Sequence, residues 1–81
     1  MRIRLTERSR RQYAAAPFEV QRAFDSKLKL LTDNLRHPSL RAKKYDEASD
    51  IWQARITRGW RCYFRIEADT YVMLSLIPHP K

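Results

Sequence analysis

The strongest constraint on this chain lies in its last third. Three runs rich in β-branched and aromatic residues, IWQARIT (51–57), WRCYFRI (60–66) and TYVMLSLI (70–77), follow one another with only Arg58-Gly59 and Glu67-Ala68-Asp69 between them. Gaps this short close hairpins, whereas a parallel connection needs a dozen residues or more. The runs therefore predict a three-stranded antiparallel meander. Strands alternate their side chains between two faces. The natural inward sets are Trp52, Ala54 and Ile56; then Cys62, Phe64 and Ile66; then Val72, Leu74 and Leu76.

Register follows from making these apolar sets face one another. That requirement pairs Ile56 with Cys62, Ala54 with Phe64 and Trp52 with Ile66. A plain two-residue turn at Arg58-Gly59 would mix the faces, so a three-residue loop or a bulge is expected around Arg58-Gly59-Trp60. The chain's single glycine sits there, at a place suited to a positive φ. The second hairpin pairs Ile66 with Val72 and Phe64 with Leu74. The other face then carries Gln53, Arg55 and Thr57, followed by Arg61, Tyr63 and Arg65. Tyr71, Met73, Ser75 and Ile77 complete it, with His79 just beyond, near the Arg58-Gly59 corner.

The first half reads as strand and helices. Ile3 and Leu5 alternate with Arg2 and Arg4, a short strand. Thr6 and Ser9 are both candidate caps for a helix running to about Ala15, and Ser9 has Gln12 at capping-box spacing. Ala16 precedes Pro17 and is pushed out of the α region, while Pro17 suits the first position of a second helix. Val20, Phe24, Leu28, Leu31 and Leu35 then form one apolar stripe. Asn34 is a plausible stop. Residues 36–50 (RHPSLRAKKYDEASD) read as a polar connection anchored by Leu40. The fold class is α+β: strand, two-helix hairpin, then meander, with the helices on one sheet face.

Length and charge narrow the function. With 81 residues, one domain over 1–81 is expected, too small for a Rossmann domain or a barrel enzyme. The 17 Lys and Arg against 9 Asp and Glu give a net charge of +8, which points to a polyanion or a strongly acidic protein as partner. One cysteine excludes a disulfide framework and a Cys-cluster zinc site, and Cys62 reads as a small buried residue rather than a nucleophile. No apolar run is long enough to span a bilayer, and MRIRLTERSRRQY lacks the apolar stretch of a secretion signal, so a cytoplasmic location without membrane contact is expected. Asp46, Glu47 and Asp50 read as solvated loop acids, and neither a metal, a cofactor nor a small-molecule ligand is expected.

The chemical content lies on the open sheet face. From residue 51 to 66 there are four arginines and no acid. A guanidinium grips phosphate through a planar fork. Tyrosine rings stack on bases, and single-stranded RNA is read by stacking plus phosphate contacts. A histidine beside arginines moves protons near neutral pH. These are the needs of RNA cleavage without metal: a base for the 2′-hydroxyl, cations for the phosphorane, an acid for the 5′-oxygen. Arg61, Arg55 and His79 are the catalytic candidates. Arg65, Tyr63, Arg58, Lys43, Lys44 and Lys81 are candidate RNA contacts.

The ordered set HPSLRAKK, W-x-A-R-I, R-G-W-R, Y-F-R-I-E and I-P-H-P-K (residues 37–81) resembles the C-terminal half of RelE/ParE toxins, and the element order resembles theirs over the whole chain. The resemblance implies the toxin of a toxin–antitoxin pair, neutralised by a cognate antitoxin. It implies, on the RelE side, a nuclease that enters the ribosomal A site and cuts mRNA. Arg61 matches the family's phosphate-binding arginine, Arg55 stands at a lysine position of the preceding strand, and His79 lies near a catalytic basic position. Gln53 replaces a second lysine, and the chain stops at Lys81, short of the tail in which several members place a catalytic tyrosine. The same scaffold also serves ParE-type gyrase poisons, and a catalytically silent RNA- or antitoxin-binding module is the third alternative.

Overall fold

The computed structural model describes residues 1–79. The chain runs β1 (Arg2–Leu5), α1 (Glu7–Ala15), α2 (Phe18–Asp33), a 3-10 turn (Pro38–Leu40), β2 (Lys43–Asp46), β3 (Ile51–Thr57), β4 (Trp60–Glu67) and β5 (Thr70–Pro78). The strands form one sheet in the order β1-β5-β4-β3-β2. β1 is parallel to β5 and the remaining neighbours are antiparallel. This is the expected α+β layout with one strand added.

Thr6 is the cap of α1: its hydroxyl accepts from the Ser9 N–H at 3.2 Å. Ala16 is extended, as its place before proline requires. Pro17 stands one step earlier than expected, as the residue flanking α2, with ψ 150. The Gln21 side chain donates to the Tyr13 carbonyl at 2.8 Å, and the Tyr13 hydroxyl donates to both Asp25 oxygens at 3.0 and 3.1 Å. These bonds fold the two helices into a hairpin. The stripe on α2 faces the sheet: Val20, Phe24 and Leu31 are buried, and Leu28 and Leu35 pack against them. Fully burying a side chain such as Phe24 contributes roughly 2–3 kcal/mol. α1 lies along β5 beyond the end of β1. There Thr6 N–H bonds the Met73 carbonyl, and the Leu76 N–H donates to the Gln12 side chain at 2.8 Å. Edge groups that β1 is too short to pair are satisfied in this way.

Residues 36–50 are more structured than a polar connection. His37 Nδ1 accepts from the Ser39 N–H at 3.2 Å and starts the 3-10 turn, which drives Leu40 into the core at 1% exposure. β2 follows, with Lys43 opposite Gln53 and Lys44 opposite Trp52. Four residues reading KKYD carry too little apolar alternation to signal a strand. Their partner supplies the order.

Three details of the meander correct the sequence expectations. The first hairpin does use a two-residue turn, with Thr57 opposite Trp60, and the irregularity that restores the faces falls between Arg55 and Thr57 rather than at the turn. Beyond it the register is Arg55 opposite Arg61, Ala54 opposite Cys62 and Trp52 opposite Phe64, two residues from the expected pairing. Gly59 does not take a positive φ; Arg41, Asp50 and Ala68 do. The largest change lies in β5. A shift between Tyr63 and Phe64 leaves Tyr63 opposite Ser75 but Phe64 opposite Met73, so Leu74 is an extra residue. Such a bulge inverts side-chain parity. Tyr71 and Met73 therefore join Leu76 in the core, and Val72 and Leu74 pass to the other face. The helices cover the Tyr71, Met73, Phe64 and Ile56 side. Among the described residues, no helix covers the face bearing Arg55, Arg61 and Tyr63.

Candidate nucleic-acid interface

The open face is built by β3, β4 and the end of β5. Arg55 and Arg61 are direct cross-strand partners, and Arg61 also lies opposite Ile77. The His79 N–H donates to the Gly59 carbonyl at 2.8 Å, extending the ladder past β5 and fixing the histidine backbone at the same corner. Arg55, Arg61 and His79 therefore converge, as expected, on a cleft of about 340 Å³. Lys43 and Gln53 line it, together with Arg41 and Tyr45.

The cleft is strongly cationic. Its lining, among the described residues, contains no carboxylate. Among the described residues, the ion pairs engage Arg2, Arg11 and Lys44, none of which lies in the cleft. Two arginines directly opposed on a sheet repel by several tenths of a kcal/mol or more, and an anion between them removes that cost. Arg61 is oriented by its own turn. Its Nη1 donates to the carbonyls of Thr57 at 2.9 Å, Trp60 at 3.0 Å and Arg58 at 3.3 Å. One amino group is thereby anchored, leaving the other donors of the fork to the cleft.

Tyr63 is on the open face, and its ring meets the Tyr45 ring edge-on at 4.9 Å. Gln53 occupies the position where the family resemblance implies a lysine. It is 7% exposed, and its side-chain amide donates to the Tyr63 hydroxyl at 2.9 Å. A neutral amide buried there positions the tyrosine instead of adding charge. Beside the tyrosines, a shallow apolar groove of about 310 Å³ continues along Ile51, Leu74 and Ile77 to Arg8.

Several expected contacts lie elsewhere. Lys44 points to the opposite face from Lys43. Its ammonium sits 2.6 Å from Asp50 and 3.8 Å from Glu47, and 5.3 Å from the centre of the Trp52 ring. The hydrogen bond to Asp50 raises its pKa above the usual lysine value. Strand alternation separates the two lysines, so Lys44 cannot share an RNA footprint with Lys43 in this arrangement. Arg65 is exposed, two residues along β4 from Tyr63 and opposite Val72, away from the cleft. Arg58 lines a neighbouring cavity instead. Lys81 lies outside the described residues. Burial pushes the Cys62 thiol up to about 12, which keeps it protonated and unreactive.

Arg41 and Tyr45 were not legible as site residues. Only the pairing of β2 with β3 sends the odd-numbered residues 41, 43 and 45 toward the cleft. The alternation was present in the sequence, but nothing marked it as a strand.

No protein-family model matches the sequence, and no curated protein does either. Solved structures do match. The chain superposes on the YoeB/ParE toxin from Agrobacterium tumefaciens with a TM-score of 0.82 at 13% identity, covering 99% of this chain and 100% of the other. The fold is that of the RelE/ParE toxins. The archaeal RelE–RelB complex from Pyrococcus horikoshii OT3 gives a TM-score of 0.78 at 16% identity, covering 95% and 92% of the two chains. The heterotetrameric YoeB–YefM toxin–antitoxin complex from Staphylococcus aureus gives 0.79 at 13%, covering 99% and 98%. The RelE/ParE layout thus spans nearly the whole chain, β2 included.

Proposed function

We propose that this protein is the toxin of a toxin–antitoxin pair, acting as one unit in the cytoplasm, and that it cuts mRNA in the ribosomal A site. The observation that carries this reading is the cross-strand pair Arg55–Arg61 with His79 at the same corner, in a cleft whose lining among the described residues holds no carboxylate. Arg61 and Arg55 hold the scissile phosphate and stabilise the charge that grows on it in the transition state. His79 exchanges the proton of the attacking 2′-hydroxyl or the leaving 5′-oxygen. Lys43 and Arg41 hold the strand, and the Tyr63–Tyr45 pair offers aromatic surface for a base. The chemistry assigned here uses only side chains.

The partner reading has the same support. Relatives of this fold are found in complexes named for RelB and YefM antitoxins. A cognate antitoxin carrying acidic residues would be steered to a body with a net charge of +8.

The test is brief induction in a bacterial host, with transcript ends mapped genome-wide. Cuts phased with codons, abolished by Arg61→Ala and by His79→Ala, are expected. Intact mRNA with trapped gyrase–DNA complexes instead would replace this reading with a gyrase poison. Growth arrest relieved by co-expression of the adjacent small reading frame would identify the antitoxin.

A further inference from the structure

A second concavity of similar size to the cleft is also basic. It lies next door, around the free edge of β3. β2 pairs β3 only as far as Gln53, so among the described residues the outer edge from Arg55 to Thr57 has no strand beside it. The 3-10 turn and the middle of α2 stand off from that edge and leave a cavity of about 400 Å³. Its cations are Lys27, Arg41, Arg55 and Arg58, and among the described residues its lining contains no carboxylate. None of the four belongs to the ion pairs among the described residues. Four unneutralised cations around one concavity repel one another, and folding gains nothing from gathering them without an anion.

Two further observations indicate that the cations are placed rather than scattered. The Lys27 ammonium donates to the Ser39 carbonyl at 3.4 Å, which ties a long flexible side chain to another residue of the cavity wall. Arg41 adopts the left-handed conformation, φ 46 and ψ 40, closing the 3-10 turn through its N–H to the Pro38 carbonyl at 3.2 Å. That conformation costs a residue with a Cβ roughly 1–2 kcal/mol, and glycine or asparagine would relieve it. Arginine supplies a cation there in return for the strain. Arg41 and Arg55 also line the cleft, so the two concavities share a basic wall.

We infer that this second cavity is an anion subsite for the RNA strand, seating a backbone phosphate that flanks the one held in the cleft. The inference rests on the reading of the cleft as the site of the scissile phosphate, and it extends the footprint around the β3 edge to Lys27 on α2. Arg55 would then serve two phosphates, one on each side of its strand.

The experiment measures binding of single-stranded RNA to the full chain over a salt series. Each phosphate neutralised on a single strand contributes about 0.7 to the log–log salt slope. Two substrates are compared: a dinucleotide with a single internucleotide phosphate, and a longer oligonucleotide whose chain continues past the cleft. Lys27→Gln removes the charge and keeps a donor for the Ser39 carbonyl. It is expected to flatten the oligonucleotide slope by about 0.7 and to weaken binding several-fold at low salt, while leaving dinucleotide affinity unchanged. Lys27→Glu should weaken oligonucleotide binding further. Oligonucleotide affinity and slope unchanged in both variants, with Arg61→Gln still weakening both substrates, would overturn the second subsite and leave the cleft standing. Equal losses on both substrates would also overturn it, by placing Lys27 in the cleft's own field. If the unsubstituted protein binds neither RNA at low salt, both readings fall together. Thermal unfolding of each variant separates loss of binding from loss of fold.

Discussion

Arg61 clamps its own turn and, in the proposed function, also grips the scissile phosphate, and substitution can separate the two. Its Nη1 donates to three carbonyls of the 57–60 turn, at 2.9, 3.0 and 3.3 Å. A hydrogen bond from a charged donor contributes about 1.5–3 kcal/mol when buried, and these bonds share one half-exposed amino group that water can replace. Arg61→Gln should therefore cost about 1 kcal/mol of stability. A small domain with roughly 5 kcal/mol to spare would remain folded by about a thousand to one. The functional cost should be much larger. Removing a preorganised donor from a developing oxyanion costs about 3–4 kcal/mol, a factor of roughly 10²–10³ in rate. Arg61→Lys keeps the charge but cannot clamp the turn and reach the cleft at once, because an ammonium is a single point. It should fall between the two.

The assay pairs urea unfolding with transcript cleavage after induction, for the unsubstituted protein, Arg61→Gln and Arg61→Lys. The expected pattern is a small shift in midpoint with cleavage reduced at least a hundredfold in Arg61→Gln. If Arg61→Gln loses stability but cuts RNA at the original rate, the arginine is a turn clamp and nothing more. The proposed phosphate grip would then have to move to Arg55 and Lys43. Equal activity of Arg61→Lys and the unsubstituted protein would show that charge alone, without the fork, is what the cleft uses.

Three other expectations concern the scaffold. Gly59→Ala should be neutral or stabilising by up to about 1 kcal/mol, because Gly59 is not at positive φ and a Cβ there meets nothing within 4 Å; a thermal midpoint lowered by several degrees would contradict the turn geometry. Leu40→Ala should cost about 2–5 kcal/mol in urea unfolding, since Leu40 is 1% exposed and anchors the 3-10 turn that delivers Arg41; a cost below 1 kcal/mol would mean that the turn is held otherwise. Alkaline pH should destabilise the fold through Cys62. The unfolded thiol ionises near 9, whereas burial holds the folded thiol neutral up to about 12, so this contribution is complete below pH 9 and declines by about 1.4 kcal/mol per pH unit above it. Urea midpoints between pH 8 and pH 10.5 should fall more steeply in the unsubstituted protein than in Cys62→Ala; identical slopes would place the thiol in contact with water. The raised Tyr13 and Tyr71 hydroxyls add losses of the same sign above about pH 10 in both proteins.

What could be read from the residues depended on how far each signal reached. The α2 stripe is a local signal with a period, and Val20, Phe24 and Leu31 are buried where that period puts them. Alternation in β3 and β4 is equally local, so Arg55, Arg61 and Tyr63 came out on the correct face even though the pairing between the strands was two residues off. A shift of two preserves faces, and only a shift of one exchanges them. β5 met the second case. Its inserted residue, Leu74, leaves no mark in the sequence: TYVMLSLI is apolar on both sides of the alternation, so either parity could have been buried. Parity there was settled by fit to Phe64 and to α1. The same distinction explains the cleft. Its arginines and histidine lie on strands that announce themselves, whereas Arg41 and Lys43 reach it through a turn with a strained residue and a four-residue strand that exists only by pairing with β3. Residues recruited by tertiary contact complete a site whose centre is set by local alternation, and the inferred subsite at Lys27 extends the same logic. α2 holds Lys27 at that position because its apolar stripe packs on the sheet, a function of the core with no reference to RNA.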